Sequence, residues 1–198
     1  MHPDLSHILI ERDALALRIK DLAAEIASTL AGPNDAIPEI TLVPILTGSI
    51  IFVADLIRHL PVQMQIHLMS VSSYPGTATS SQGVTLRPEL SGVPDNLTGR
   101  HVLVVDDILD SGATLNAVRA ELKKRNPTTL HTAVLLRKKR PEAMNTPVDF
   151  VAFDIPDQFV VGYGLDFDDY YRNLPDIGVL HPNVVARAQA QQAGAISS

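Results

Sequence analysis

The segment Val102–Leu115, VLVVDDILDSGATL, gathers the carboxylates Asp106, Asp107 and Asp110 on one short stretch. Like charges this close repel, so the grouping is costly unless hydroxyl groups or a cation face it. Aspartate is ionised at neutral pH, which also makes any of the three a potential proton acceptor. Ser111-Gly112-Ala113-Thr114 follows and opens a helix. The unpaired N–H groups and positive dipole end of such a helix suit a phosphate. Gly112 lets the backbone approach a ligand closely, and Ser111 and Thr114 add hydroxyl donors. Asp110-Ser111-Gly112 also reads as an ordinary helix cap, but a cap does not account for three carboxylates. The loop has neither the lysine of a P-loop nor the three-glycine dinucleotide pattern.

These residues need a scaffold that brings a strand end to a helix start. His101–Asp106 is a continuous apolar run, as is Ile40–Leu46, and such runs read as strands buried on both faces of a parallel sheet. Thr47-Gly48-Ser49 turns from the latter into a helix predicted over Ile50–Leu60, and Met64–Val71 reads as a further strand. Ser72–Gln82, rich in Ser, Thr, Gly and Pro, is expected to be a mobile loop. Leu115, Val118 and Leu122 stripe the helix after the acidic segment; Leu130–Leu136 and Val148–Phe153 add strands. At the N-terminal end Leu15, Ile19, Leu22, Ile26 and Leu30 recur at helical spacing until Gly32-Pro33 stops them. Strands alternating with helical stripes give an α/β fold with a largely parallel central sheet, in which ligands bind beyond the carboxyl ends of the strands.

The chain has 198 residues, 45% of them hydrophobic and 19% charged, enough to bury one full core. A single domain over residues 1–182 is expected, followed by a flexible tail over 183–198, with no repeat or linker. Cysteine is absent, which excludes disulfides, thiol catalysis and cysteine-bound zinc or iron–sulfur centres. Sixteen basic against 22 acidic residues, a net charge of −6, argue against a nucleic-acid partner. No apolar stretch spans a bilayer and the first residues do not form a secretory signal, so a cytoplasmic location without membrane contact is expected.

The acidic segment resembles the phosphoribosyl pyrophosphate loop of the type I phosphoribosyltransferases, and three more segments match the 6-oxopurine branch, the hypoxanthine/guanine phosphoribosyltransferases. Asp154–Leu180, DIPDQFVVGYGLDFDDYYRNLPDIGVL, is similar to their purine-binding region; ILTGSIIFVADLIRHL to their pyrophosphate loop; and SSYPGTATSSQGVTL to their active-site flap. The resemblance implies the type I phosphoribosyltransferase fold with a small hood over the site. It also implies a purine-salvage reaction: Mg²⁺-dependent transfer of phosphoribose from phosphoribosyl pyrophosphate to hypoxanthine or guanine, giving IMP or GMP.

On that resemblance Asp110 is the general base. Asp106 and Asp107 face the ribose hydroxyls, and Ser111, Gly112, Ala113 and Thr114 hold the 5′-phosphate. Thr47, Gly48 and Arg172 contact pyrophosphate. Lys138 reads the 6-oxo group, Phe159 stacks on the purine, and Val160 acts through its backbone. Asp166 binds Mg²⁺ together with Asp106 and Asp107, and Ser73 and Tyr74 close over the reacting centre. A homodimer or homotetramer is implied as well. Two positions depart from the family pattern. Asp106 stands where glutamate is usual, and Thr47, beside an implied non-proline cis bond, stands where a lysine or arginine is usual. From residues alone, Phe159 reads as core packing, and a solvated basic run with Arg137, Lys139 and Arg140 competes for Lys138. A phosphoribosyltransferase-like regulator without turnover, and an enzyme preferring xanthine, remain open readings of the same motifs.

Overall fold

The apolar runs become parallel strands. The structure, a computed structural model, describes residues 2–32, 37–74, 85–89 and 92–186, with backbone alone over 70–74 and 85–89. In chain order the elements are β1 (Leu5–Ile10), α1 (Arg12–Leu30), β2 (Ile40–Leu46), α2 (Ile50–Leu56), β3 (Met64–Ile66), β4 (Met69–Tyr74), β5 (Thr85–Glu89), β6 (His101–Leu109), α3 (Ala113–Lys123), β7 (Thr129–Lys138), α4 (Pro141–Asn145), β8 (Phe150–Ile155), β9 (Val160–Val161) and β10 (Ile177–Leu180). The main sheet runs β5-β4-β2-β6-β7-β8, and β3 also pairs with β2. Five positions across it are parallel, one of them shared by β3 and β4, and β5 lies antiparallel on the β4 edge.

Helices cover both faces, which is why the inner strands carry no polar alternation. Leu15, Ile19, Leu22 and Ile26 of α1 are wholly buried and share one core with Leu42, Leu103 and Val105. Leu115, Val118 and Leu122 of α3 share the other with Val102, Val104 and Val134. Each such side chain contributes about 1.5–3 kcal/mol by leaving water. A second, three-stranded antiparallel sheet, β1-β10-β9, joins the two ends of the chain: Leu5 pairs with Leu180, Ile10 with Ile177, and Val179 with Val160. Arg12 fastens it by a two-pronged contact to Asp176, at 3.1 and 3.0 Å.

Several boundaries differ from the sequence expectation. The strand expected over Met64–Val71 is two strands, since the chain breaks at His67 and rejoins the same edge of β2 at Met69. The loop expected from Ser72 starts later: β4 runs on to Tyr74, held by antiparallel pairing of Ser72–Tyr74 with Thr85–Arg87. Residues 75–84 of that segment lie outside the described residues. The α2 helix closes at Leu56 rather than Leu60, and β6 continues past Asp106 to Leu109. Residues 182–186 form a helical turn whose Val184 and Val185 pack beside Leu5 and Leu180. Residues 187–198 of the expected tail lie outside the described residues. Among those described, no helix is long and apolar enough to cross a membrane.

Candidate active site

Pairing with β7 carries β6 beyond its apolar run, through Ile108↔Leu136 and Leu109↔Arg137. That extension sets Asp107 in the strand end, Asp110 just past it, and Lys138 at the neighbouring end of β7. A cavity of ≈ 160 Å³ opens there, lined by Asp107, Ile108, Asp110, Lys138, Phe159, Val160, Leu165 and Asp166. Five of the residues singled out for chemistry beside Asp110 therefore share its cavity. Asp106 does not line it.

The carboxylates sit in opposite electrostatic settings. Asp106 is only 7% exposed, and its Oδ1 accepts the backbone N–H of Asp107 at 3.0 Å. Burial, and then the neighbouring Asp107 charge, push its pKa well above the ordinary aspartate value. Asp107 is also raised by burial, partly offset by hydrogen bonds and by the charge of Arg172. For Asp110, partial burial works against ionisation, but Lys138 and Arg140 outweigh it and hold its pKa below the usual range. Lys138 Nζ donates to Asp110 Oδ2 at 3.1 Å, and Arg140 Nη1 to Oδ1 at 2.8 Å. Lys138 is a further 3.3 Å from Asp157 Oδ1.

The basic run is thus not a uniformly solvated face. Arg137 forks onto Asp154 at 2.6 and 3.0 Å, while Lys138 and Arg140 converge on Asp110. β7 ends at Lys138 and the chain then bends, with Arg140 N–H donating to the Lys138 carbonyl at 2.8 Å, and both side chains reach Asp110. Arg140 and Asp157 are the site neighbours that the sequence reading did not single out. Nothing in the spacing of the four consecutive cations singles out Arg140. Phe159 is not core: its ring is 45% exposed and meets Phe167 edge-on, with centroids 5.0 Å apart. Val160 is buried and pairs with Val179 through its backbone.

The helix α3 begins from Gly112, whose φ of 77° is in the left-handed region. A Cβ there would lie 2.1 Å from Thr146 Oγ1. Ser111 Oγ accepts from Ala113 N–H at 3.4 Å, and Ser111 and Ala113 are exposed at the helix start beside Thr114. On β2, the Leu46–Thr47 peptide bond is cis. Thr47 is exposed, and Gly48 packs so tightly on Asp107 that a Cβ would fall 1.6 Å from Oδ2. Arg172 Nη1 donates to the Gly164 carbonyl at 3.0 Å and pairs with Asp166 Oδ1 at 2.8 Å; Nη2 pairs with Asp169 at 3.0 Å. The cation expected on pyrophosphate and the carboxylate expected on the metal are therefore partners of each other. Ser73 and Tyr74 lie in β4, and their side chains are outside the described residues.

Among the described residues, no three acidic or histidine side chains converge as a ready-made metal cage. Mg²⁺ does not require one, since it keeps water and takes one or two carboxylates beside substrate phosphates. Asp106 and Asp107 supply buried, mutually repelling oxygens beside a phosphate-suited helix start, and this all-oxygen set fits a hard divalent cation.

The sequence model of the phosphoribosyl transferase domain matches residues 9–168. The hypoxanthine-guanine phosphoribosyltransferase of Mycobacterium tuberculosis (strain H37Rv) is 40% identical over 182 residues, 91% of this chain and 89% of that one. Its counterpart in Streptococcus pneumoniae (strain R6) is 39% identical over 181 residues, 91% and 96% of the two chains. The hypoxanthine phosphoribosyltransferase of Trypanosoma cruzi, solved in complex with the product IMP, superposes with a TM-score of 0.82 at 35% identity, covering 93% of this chain and 98% of that one. An α/β sheet with its acidic strand end beside a phosphate-suited helix start is the architecture of a phosphoribosyl-transferring enzyme. With these likenesses, the chain belongs to the hypoxanthine-guanine phosphoribosyltransferase family.

Proposed function

We propose that the protein makes IMP or GMP from phosphoribosyl pyrophosphate and hypoxanthine or guanine, with Asp110 accepting the purine proton. A purine ring nitrogen attacks the anomeric carbon, the bond from that carbon to pyrophosphate oxygen breaks, and the nitrogen's proton passes to Asp110. The observation that carries this reading is the shared cavity: an ionised Asp110, Lys138 and the half-exposed Phe159 line one small space. Lys138 then donates to the 6-oxo group, which adenine lacks, and Phe159 supplies stacking that tolerates different purines.

Asp107 and Asp106 accept from the ribose hydroxyls, relieving the repulsion between them. The start of α3 takes the 5′-phosphate through Ser111, Gly112, Ala113 and Thr114. Thr47 and Gly48 offer backbone N–H groups to pyrophosphate, with Arg172 as the nearby cation. Ser73 and Tyr74 cover the centre and exclude water. Asp106 and Asp107, with Asp166 through water, would hold Mg²⁺, whose charge would offset that of the departing pyrophosphate.

The test is nucleotide formation from Mg²⁺, phosphoribosyl pyrophosphate and, separately, hypoxanthine, guanine, xanthine and adenine. Turnover with oxopurines and none with adenine is expected, and the same assay ranks xanthine. Silence with all four while the sugar substrate still binds would overturn the reading in favour of a regulator. A homodimer or homotetramer is supported by the exposed apolar side chains of Leu17 on α1 and Ile50 and Ile51 on α2, and sedimentation measurements check it.

A further inference from the structure

Asp110 has both carboxylate oxygens occupied, Oδ2 by Lys138 and Oδ1 by Arg140. Each oxygen keeps a further lone pair, but an oxygen bonded to a cation is the poorer proton acceptor. The two cations are not equivalent in this respect. Lys138 lines the purine cavity and Arg140 does not. Glu142, at the start of α4, accepts from Arg140 Nε at 3.1 Å and steadies the guanidinium from behind, while Nη1 stays aimed at Asp110.

We propose that Arg140 is a positioning residue for Asp110: it keeps Oδ1 in place while Lys138 turns from Oδ2 to the purine, so that Oδ2 becomes the proton-accepting atom. This rests on the reading of Asp110 as the acceptor. A rigid, permanently charged fork is suited to the task. The charged groups facing Asp110 are Lys138 from the end of β7 and Arg140 from the start of α4. Behind them stand Asp157, paired with Lys138, and Glu142, paired with Arg140. Asp107 precedes it on its own strand and Asp166 lies across the cavity. Of these, Arg140 alone is a cation bonded to Asp110 from outside the purine cavity.

The experiment compares Arg140→Gln, Arg140→Lys, Asp110→Asn and the double variant Arg140→Gln/Asp110→Asn in steady-state kinetics across pH. Arg140→Gln is expected to lower kcat about tenfold or more, the scale of a misplaced acceptor, with KM for phosphoribosyl pyrophosphate unchanged. The acid limb of its kcat/KM profile moves to higher pH, because a cation that favours ionised Asp110 is gone. Arg140→Lys restores most of the rate, and in the Asp110→Asn background Arg140→Gln has no further effect. Arg140 is one-third exposed, and an unchanged thermal midpoint confirms that the variant folds. Wild-type kcat in Arg140→Gln, or losses that multiply in the double variant, overturn the proposal. Wild-type turnover in Asp110→Asn overturns the reading of Asp110 instead.

Discussion

Asp106 sits in a place that resists a charge. Its folded pKa lies above the ordinary value because burial, then Asp107, disfavour ionisation. As pH rises through that raised value the folded protein loses stability, whereas below the unfolded aspartate value both states hold the proton and no penalty remains. Asp106→Asn is therefore expected to raise the thermal midpoint at neutral pH, by a margin that closes as pH falls, while weakening phosphoribosyl pyrophosphate binding. Calorimetric scans over pH, paired with titration calorimetry, check both halves. Asp110 is pushed the other way, and such divergence between neighbouring carboxylates separates a proton acceptor from a hydroxyl or metal holder. Asp110→Asn should cut turnover by roughly two to four decades, the usual general-base range, with sugar-substrate binding retained. The acidic trio was legible in the sequence because residue type and spacing alone make it improbable as a cap. Arg140 was not: four consecutive cations look alike until the bend after β7 brings Lys138 and Arg140 to Asp110 and leaves Arg137 on Asp154.

At the scale of elements, the continuous apolar runs of β2, β6 and β7 and the stripes of α1 and α3 were legible, since a strand or helix buried in a layered fold leaves a period in the sequence. The strands β1, β9 and β10 were not, because two-to-six-residue segments paired across the length of the chain leave no local period. The loop elements carry two predictions. Gly112→Ala forces a side chain into a left-handed backbone, costing about 1–2 kcal/mol. It also meets Thr146, whose Oγ1 now donates to Glu142 at 2.8 Å. A lower urea midpoint together with weaker phosphoribosyl pyrophosphate binding is expected. Thr47→Lys places a cation on an exposed side chain of the pyrophosphate loop, and calorimetry should show tighter pyrophosphate binding. Unchanged affinity would mean that the backbone groups suffice.

At the scale of the whole molecule, the proposed purine side of the site adjoins the small sheet and the proposed phosphate side the large one. Phe159 N-terminally abuts β9, and its carbonyl accepts from Leu180 N–H at 3.0 Å. Leu5, only 5% exposed, packs with Val161 and Leu180. Leu5→Ala should cost about 2–5 kcal/mol. Hydrogen exchange should quicken at 160–161 and 177–180, and purine KM should rise more than that of the sugar substrate. The pairing of Leu5 with Leu180 also has a consequence for the newborn chain. Synthesis proceeds at about 5–20 residues per second, so the first strand waits on the order of ten to thirty seconds for its partner. Throughout that interval the segment around α3, the proposed phosphate side, can fold, but the small sheet beside the proposed purine side cannot close. The nascent protein is thus expected to acquire affinity for the sugar before affinity for the base, becoming an enzyme only as its last paired strand leaves the ribosome.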